Sequence, residues 1–145
     1  MSTLKVRHRI IAVVSEAPKP GDLVCWRDPL TIDSERVSRF AAASGDFNPL
    51  HLDDAFARRA GQPAAIAHGM CTLSVTVEHV LGALAGPVEL RELALRMPRP
   101  MPVGAAIEIE AAIAEALADG VLVEVRADGP GGRVIDGWIR AEHGR

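Results

Sequence analysis

The stretch GMCTLSVTVEHVLGALAGP, residues 69–87, decides the fold. Met70, Leu73, Val77, Val80, Leu81 and Leu84 recur at the three- and four-residue spacing of a helix. Gly86-Pro87 ends the run, because proline cannot extend a helix. A helix of about 17 residues would be roughly 25 Å long at ~1.5 Å per residue. The segment is apolar all round, which predicts burial rather than one solvent face.

Outward from this helix, the period changes. Val88 and Leu90 alternate, and Leu93, Leu95 and Met97 continue on a shifted phase, which predicts a strand bulged near Arg91-Glu92. Ile107, Ile109, Ala111 and Ile113 alternate with Glu108 and Glu110, Val121, Val123 and Val125 form another strand, and Ile135, Gly137, Ile139 and Ala141 form the last, opposite Asp136, Trp138 and Arg140. Asp119-Gly120 and the run Asp128 to Gly132 supply hairpin turns. On the N-terminal side, Leu4 to Val14 and Leu23 to Trp26 read as strands. Asp33 or Ser34 opens a helix that Gly45 closes, and Asp53 or Asp54 caps a short helix over Ala55–Ala60. One antiparallel sheet wrapped round one apolar helix satisfies this order, an α+β single domain over residues 1–145. Such a sheet leaves an edge that a second copy would cover, so a homodimer is expected.

Composition excludes several functions. The 145 residues are 48% hydrophobic and 24% charged, enough to fold around a core. Only 3% are aromatic and the net charge is −3, which fits neither base stacking nor a broad basic face for nucleic acid. No window approaches the ~20 apolar residues that span a bilayer. The charged start MSTLKVRHRI lacks a secretory core, and Cys25 and Cys71 form no disulfide framework, so a cytoplasmic setting is expected.

The densest polar cluster is Ser44-Gly45-Asp46-Phe47-Asn48-Pro49-Leu50-His51. A carboxylate and an imidazole on one irregular segment can converge on one water, one taking its proton while the pair returns a proton to the substrate. Asn48 and Pro49 would fix the loop. Taken alone, the same residues describe an ordinary Asx turn beside a surface histidine, and Asp-Asn-Pro loops are common enough to favour that reading. A second cluster, Ala67-His68-Gly69-Met70, opens the long helix, where free amides and a missing Cβ suit a developing oxyanion. A plain helix entry fits it equally well.

Other signals are weaker. His51, Asp53, Asp54 and His68 match no strong metal-ligand spacing, so no metal is expected. Cys71 on the apolar helix reads as core. Gly129-Pro130-Gly131-Gly132 precedes a strand and reads as a turn, not a phosphate loop. Arg96 and Arg99 form a charged strand end able to meet a phosphate on a pantetheine-linked carrier.

The run FAAASGDFNPLHLD, residues 40–53, followed by AIAHGM, residues 65–70, resembles the MaoC-like (R)-specific enoyl-CoA hydratase family. The resemblance covers about Gly21 to the end and gives residues 1–20 no role. It implies a hotdog fold and syn hydration of a trans-2-enoyl thioester of coenzyme A or acyl carrier protein, or the reverse dehydration. It implies Asp46 and His51 as the catalytic dyad and the Gly69 amide as the oxyanion donor. Asn48, Pro49, His68, Met70 and Val77 would support the loop or line the acyl site, and no metal or redox cofactor is needed. Val77 stands where some members carry a small polar residue, and Gly104-Ala105 where a Gly-Asp is common. Two other readings stay open: a hotdog thioesterase, and a non-catalytic acyl-thioester-binding subunit of a hetero-oligomer.

Overall fold

The long helix at the centre is built from poor helix formers. Thr72, Val75, Thr76, Val77 and Val80 are β-branched, and all five are buried. Their side chains favour strands, so burial against a sheet, not local propensity, holds the helix. The buried hydroxyls of Thr72 and Thr76 donate back to the carbonyls of His68 and Thr72, which satisfies them inside the core.

The computed structural model describes residues 17–144, so the strand expected over 4–14 lies outside the described residues. The chain runs β1 (Leu23–Thr31), α1 (Ser34–Ser44), α2 (Pro49–Leu52), α3 (Asp54–Arg59), α4 (Gly69–Ala83), β2 (Val88–Arg96), β3 (Ala106–Ala116), β4 (Gly120–Gly129) and β5 (Gly132–His143). One antiparallel sheet, ordered β1-β3-β4-β5-β2, curls about α4. The alternating residues Ile107, Ile109, Val123, Val125, Ile135 and Ile139 are fully buried and form one cluster with the inner face of α4. Each such side chain contributes about 1.5–3 kcal/mol on leaving water.

Three expectations change. First, α4 is 15 residues long and buried on all but one stripe, where Met70, Ser74, Glu78 and Gly82 face solvent at four-residue intervals. Second, β1 does not stop at Trp26 but runs to Thr31, through a non-glycine residue at positive φ (Arg27, 50°) and through Pro29. An edge strand tolerates both, because one side of it makes no ladder bonds. Third, the turn before His51 closes into a helix of its own, α2. The bulge in β2 falls between Leu90 and Glu92 as expected, and Pro130-Gly131 makes the tight β4–β5 turn.

The two sheet edges differ. On β2, Leu90 and Leu93 oppose the inward-facing Ala141 and Ile139, yet stay 37% and 38% exposed. That ledge continues through Leu95 to Met97, the latter 39% exposed.

Gly137 controls how closely β2 approaches β5. It has φ 150°, and a Cβ there would lie 2.0 Å from the Ala94 carbonyl oxygen. Gly137→Ala should therefore cost on the order of 3 kcal/mol in urea unfolding, the scale of overpacking a fixed backbone. At Gly131, on the hairpin tip, a Cβ meets nothing within 4 Å. Gly131→Ala should leave the midpoint in place, and equal midpoints for the two variants would refute the close strand approach.

Candidate active site

The polar segment between α1 and α2 is fixed by short-range hydrogen bonds from side chain to backbone. Gly45 ends α1 in the left-handed region, with its N–H donating to Ala41. The Ser44 hydroxyl accepts from the Asp46 amide (3.3 Å), Asp46 Oδ1 from the Asn48 amide (3.2 Å), and Asn48 Oδ1 from the Leu50 amide (2.9 Å). Asn48 is thereby the N-cap of α2, and Pro49 fills its first position, where a missing N–H costs nothing. Asp53 ends that turn and caps α3, accepting from the Ala55 and Phe56 amides. These bonds, the Phe56 amide first, hold the Asp53 carboxyl below its ordinary range.

One turn of α2 is enough to aim His51 inward. Its Nδ1 lies 2.7 Å from the Ile66 carbonyl oxygen, and a carbonyl only accepts, so Nδ1 donates there and Nε2 is the ring nitrogen turned to the site. Nε2 stands 3.9 Å from Asp46 Oδ2. With Oδ1 engaged by Asn48, Oδ2 is the oxygen Asp46 presents. The gap is too long for a direct hydrogen bond and wide enough for one bridging oxygen atom.

His68 supports this pair from beneath. It is buried, its Nε2–H donates to the Asp46 backbone carbonyl (2.9 Å), and Nε2 is 4.0 Å from Asp46 Oδ2. Its ring stacks 3.9 Å from that of His51 and packs 4.9 Å from Phe40. Its Nδ1 is buried without a hydrogen-bond partner among the described residues. His68 is thus a spacer that ties the Asp46 backbone to the head of α4.

Gly69 opens α4. His68 gives no side-chain cap, so the first amides of the helix point outward unengaged by it. His51 and Gly69 line one cavity of about 260 Å³ with Ile66, Thr72, Met97 and Arg99. A Cβ on Gly69 would come 3.1 Å from Met97 Cε.

The structure therefore brings together Asp46, His51, His68 and Gly69, with Asn48 and Pro49 as loop supports. It does not bring Met70 or Val77 to them: Met70 is 57% exposed on the outer stripe of α4, and Val77 is buried in the core. Asp53 and Asp54 are not part of the site either, since Asp53 caps α3 and Asp54 accepts from the Ala65 amide. The side-chain atoms of Asp46, His51 and His68 lie within 4.8 Å of one another, a ligand-like cluster that linear spacing did not reveal. Cys71 is buried, and burial raises its thiol above the ordinary value, as a core position should. Two further participants escaped the sequence reading. Ile66 is placed through its carbonyl, which no side-chain pattern reports, and Met97 reaches the cavity from just past the end of β2.

The model of the family described as "MaoC like domain" matches residues 16–127. The 3-hydroxyacyl-thioester dehydratase Z of Mycobacterium tuberculosis is 31% identical over 101 residues, which cover 66% of this chain and 67% of that protein. The peroxisomal enoyl-CoA hydratase 2 of Arabidopsis thaliana is 44% identical over 59 residues, 38% of this chain but 19% of that protein. The chain spans less than a fifth of the length of several curated relatives it matches. Among solved structures, the unliganded R-hydratase PhaJ1 from Pseudomonas aeruginosa superposes with a TM-score of 0.77 at 29% identity, covering 86% of this chain and 81% of that one. Sequence match and superposition agree, and the chain belongs to the MaoC-like domain family and has its hotdog fold.

Proposed function

We propose that the protein hydrates trans-2-enoyl thioesters to (R)-3-hydroxyacyl thioesters, or runs the reverse dehydration, with Asp46 and His51 as the catalytic pair. The observation that carries this is the 3.9 Å separation of His51 Nε2 and Asp46 Oδ2 beside a cavity headed by Gly69. A water between the two atoms donates one hydrogen bond to each and turns its oxygen toward the substrate. As that oxygen bonds the β-carbon, the pair takes one water proton and the C=C electrons move onto the thioester oxygen. The Gly69 amide holds that oxygen as enolate charge develops. The enolate collapses, the α-carbon takes a proton from the pair, and one molecule of water has been added. Because one water and one pair serve both carbons, addition is syn. The reaction is redox-neutral, so this reading calls for no redox cofactor, and its substrate is an acyl-CoA or acyl carrier protein thioester.

The same reading places the protein as a homodimer in a reducing, cytoplasmic setting. Two buried unpaired thiols suit such a compartment. Within the described residues, no helix is long and apolar enough to cross a membrane. The apolar ledge of β2, Leu90-Leu93-Leu95-Met97, supports pairing with a second copy, since an exposed apolar edge is otherwise a liability. Light scattering should give twice the chain mass, and Leu93→Lys should halve it; a monomeric wild type would end the dimer reading.

Incubation with crotonyl-CoA tests the reaction. Enoyl absorbance should fall with no release of free thiol, whereas free thiol would mean hydrolysis. Asp46→Asn and His51→Gln should each lower kcat by about 10²–10⁴-fold, the usual worth of a positioned acid–base group. Full turnover in either variant would remove that residue from the chemistry.

Gly69 permits a sharper test. It is the first residue of α4, where proline is tolerated, and His68 before it has φ −55° and ψ 135°, the conformation a residue preceding proline prefers. The added Cβ meets the flexible end of Met97 rather than backbone. Gly69→Pro should keep the helical circular dichroism of the wild type and lower kcat by about 10²–10³-fold, as loss of one oxyanion donor does. A folded Gly69→Pro protein with undiminished kcat would show that this amide does not bind the oxyanion.

A further inference from the structure

A second cluster lies where α4 crosses β1, ten residues along the helix from Gly69 and so roughly 15 Å away at ~1.5 Å per residue. Cys25 Sγ, a carboxylate oxygen of Asp28 and a ring nitrogen of His79 all lie within 4.8 Å of one another. His79 Nε2 is 3.0 Å from Asp28 Oδ2. Cys25 is buried, its thiol making one long contact (3.8 Å) to the Ile109 carbonyl, while Asp28 and His79 are less than a third exposed.

Strand geometry alone would not bring these groups together. Residues three apart on a regular strand point to opposite faces. Here Cys25 sits opposite Ala111 and Asp28 opposite Ile109, both inward-facing on β3, so Trp26 and Arg27 together span the place opposite Glu110. Accommodating the extra residue forces Arg27 to φ 50°, a left-handed backbone that costs a non-glycine residue about 1–2 kcal/mol. The bulge turns Cys25 and Asp28 onto one face, toward His79. Backbone strain that gathers potential ligands is how proteins build sites.

We propose that Cys25, Asp28 and His79 bind a divalent cation of the zinc class, pinning α4 to β1 at the end remote from the Asp46–His51 pair. The donor set of one sulfur, one imidazole nitrogen and one carboxylate oxygen is that of a borderline-soft metal, not of magnesium or calcium. Thiolate and carboxylate together cancel the two positive charges. The partial exposure of Asp28 and His79 leaves an entry path and room for water as a fourth ligand. Ligand atoms in a tetrahedral zinc shell stand roughly 3–4 Å apart, so closure needs a side-chain movement of about 1 Å. Without metal, burial and then the Asp28 charge push the Cys25 thiol up to about 12. Binding exchanges the S–H bond for an S–metal bond and releases the proton to solvent.

Titration of chelator-stripped full-length protein with Co²⁺ tests the site, because a thiolate ligand gives a near-ultraviolet charge-transfer band that nitrogen and oxygen ligands do not. One equivalent should develop that band. Cys25→Ser should abolish it, His79→Gln should weaken binding at least tenfold, and Cys71→Ser should leave it unchanged. Zn²⁺ should raise the melting temperature of the wild type and not of His79→Gln, whose hydration of crotonyl-CoA should match wild type. Absence of the band, its survival in Cys25→Ser, or Co²⁺ binding lost only in His51→Gln would each overturn the proposal. The last would place the metal at Asp46, His51 and His68 instead.

Discussion

Everything at the candidate site depends on the burial of α4. Its sequence would not form a stable helix in water, since its centre is a run of valines and threonines. It is helical because β3, β4 and β5 offer a continuous apolar surface, and because Thr72 and Thr76 return their hydroxyls to its own backbone. A helix held by packing on all but one stripe has a fixed axis and a fixed start. The position of the Gly69 amide is therefore set by contacts made several turns away, at Val77 and Val80. Val77 is joined to the site in this way, through the core.

The loop that carries Asp46 achieves rigidity differently. No apolar side chain anchors Asp46 itself, whose side chain is half exposed. Three successive side-chain oxygens, from Ser44, Asp46 and Asn48, each capture an amide two residues on, which leaves the backbone few alternatives. The loop is then joined to the core at two points, His68 Nε2 to the Asp46 carbonyl and His51 Nδ1 to the Ile66 carbonyl. Both joints lead to residues 66–68, which the Ala67 amide ties to the Met101 carbonyl. The Asp46 carboxylate, the His51 imidazole and the Gly69 amide are thus referenced to one short segment, and that keeps their mutual distances independent of the exposed loop surface.

How much of this was legible follows from where each constraint lives. Period-two and helical runs gave β2 to β5 and α4, because one-sided burial leaves a repeating mark; Arg91 even marked its own bulge by a change of phase. The cap at Asp33 and the stop at Gly45 were legible as local backbone chemistry. β1 was cut short because Arg27-Asp28-Pro29 reads as a break, and an edge strand keeps going through residues that would end a central one. Asp46 and His51 were ambiguous from spacing, and only the motif that joins them to His68-Gly69 tipped the balance. Met70 belongs to that motif and Val77 stands on the helix beyond it, yet Met70 faces solvent and Val77 the core. A linear pattern names positions; which way a helix turns them depends on what covers it.

The two edges of the sheet show the same dependence. Both leave backbone groups unpaired, and they deal with it by opposite means. β1 carries a proline, a left-handed residue and a bulge between Cys25 and Asp28, each of which interrupts the regular ladder another strand would need. β2 has a single bulge near its start and then pairs regularly from Glu92 to Arg96, with Leu90 and Leu93 left exposed on its inner face. An edge so irregular offers no regular ladder to a further strand. An edge that is regular and apolar is finished only by another surface, and β2 leads directly to Met97, which touches the space over Gly69. The apolar edge and the mouth of the cavity therefore lie along one strand and the residue that follows it.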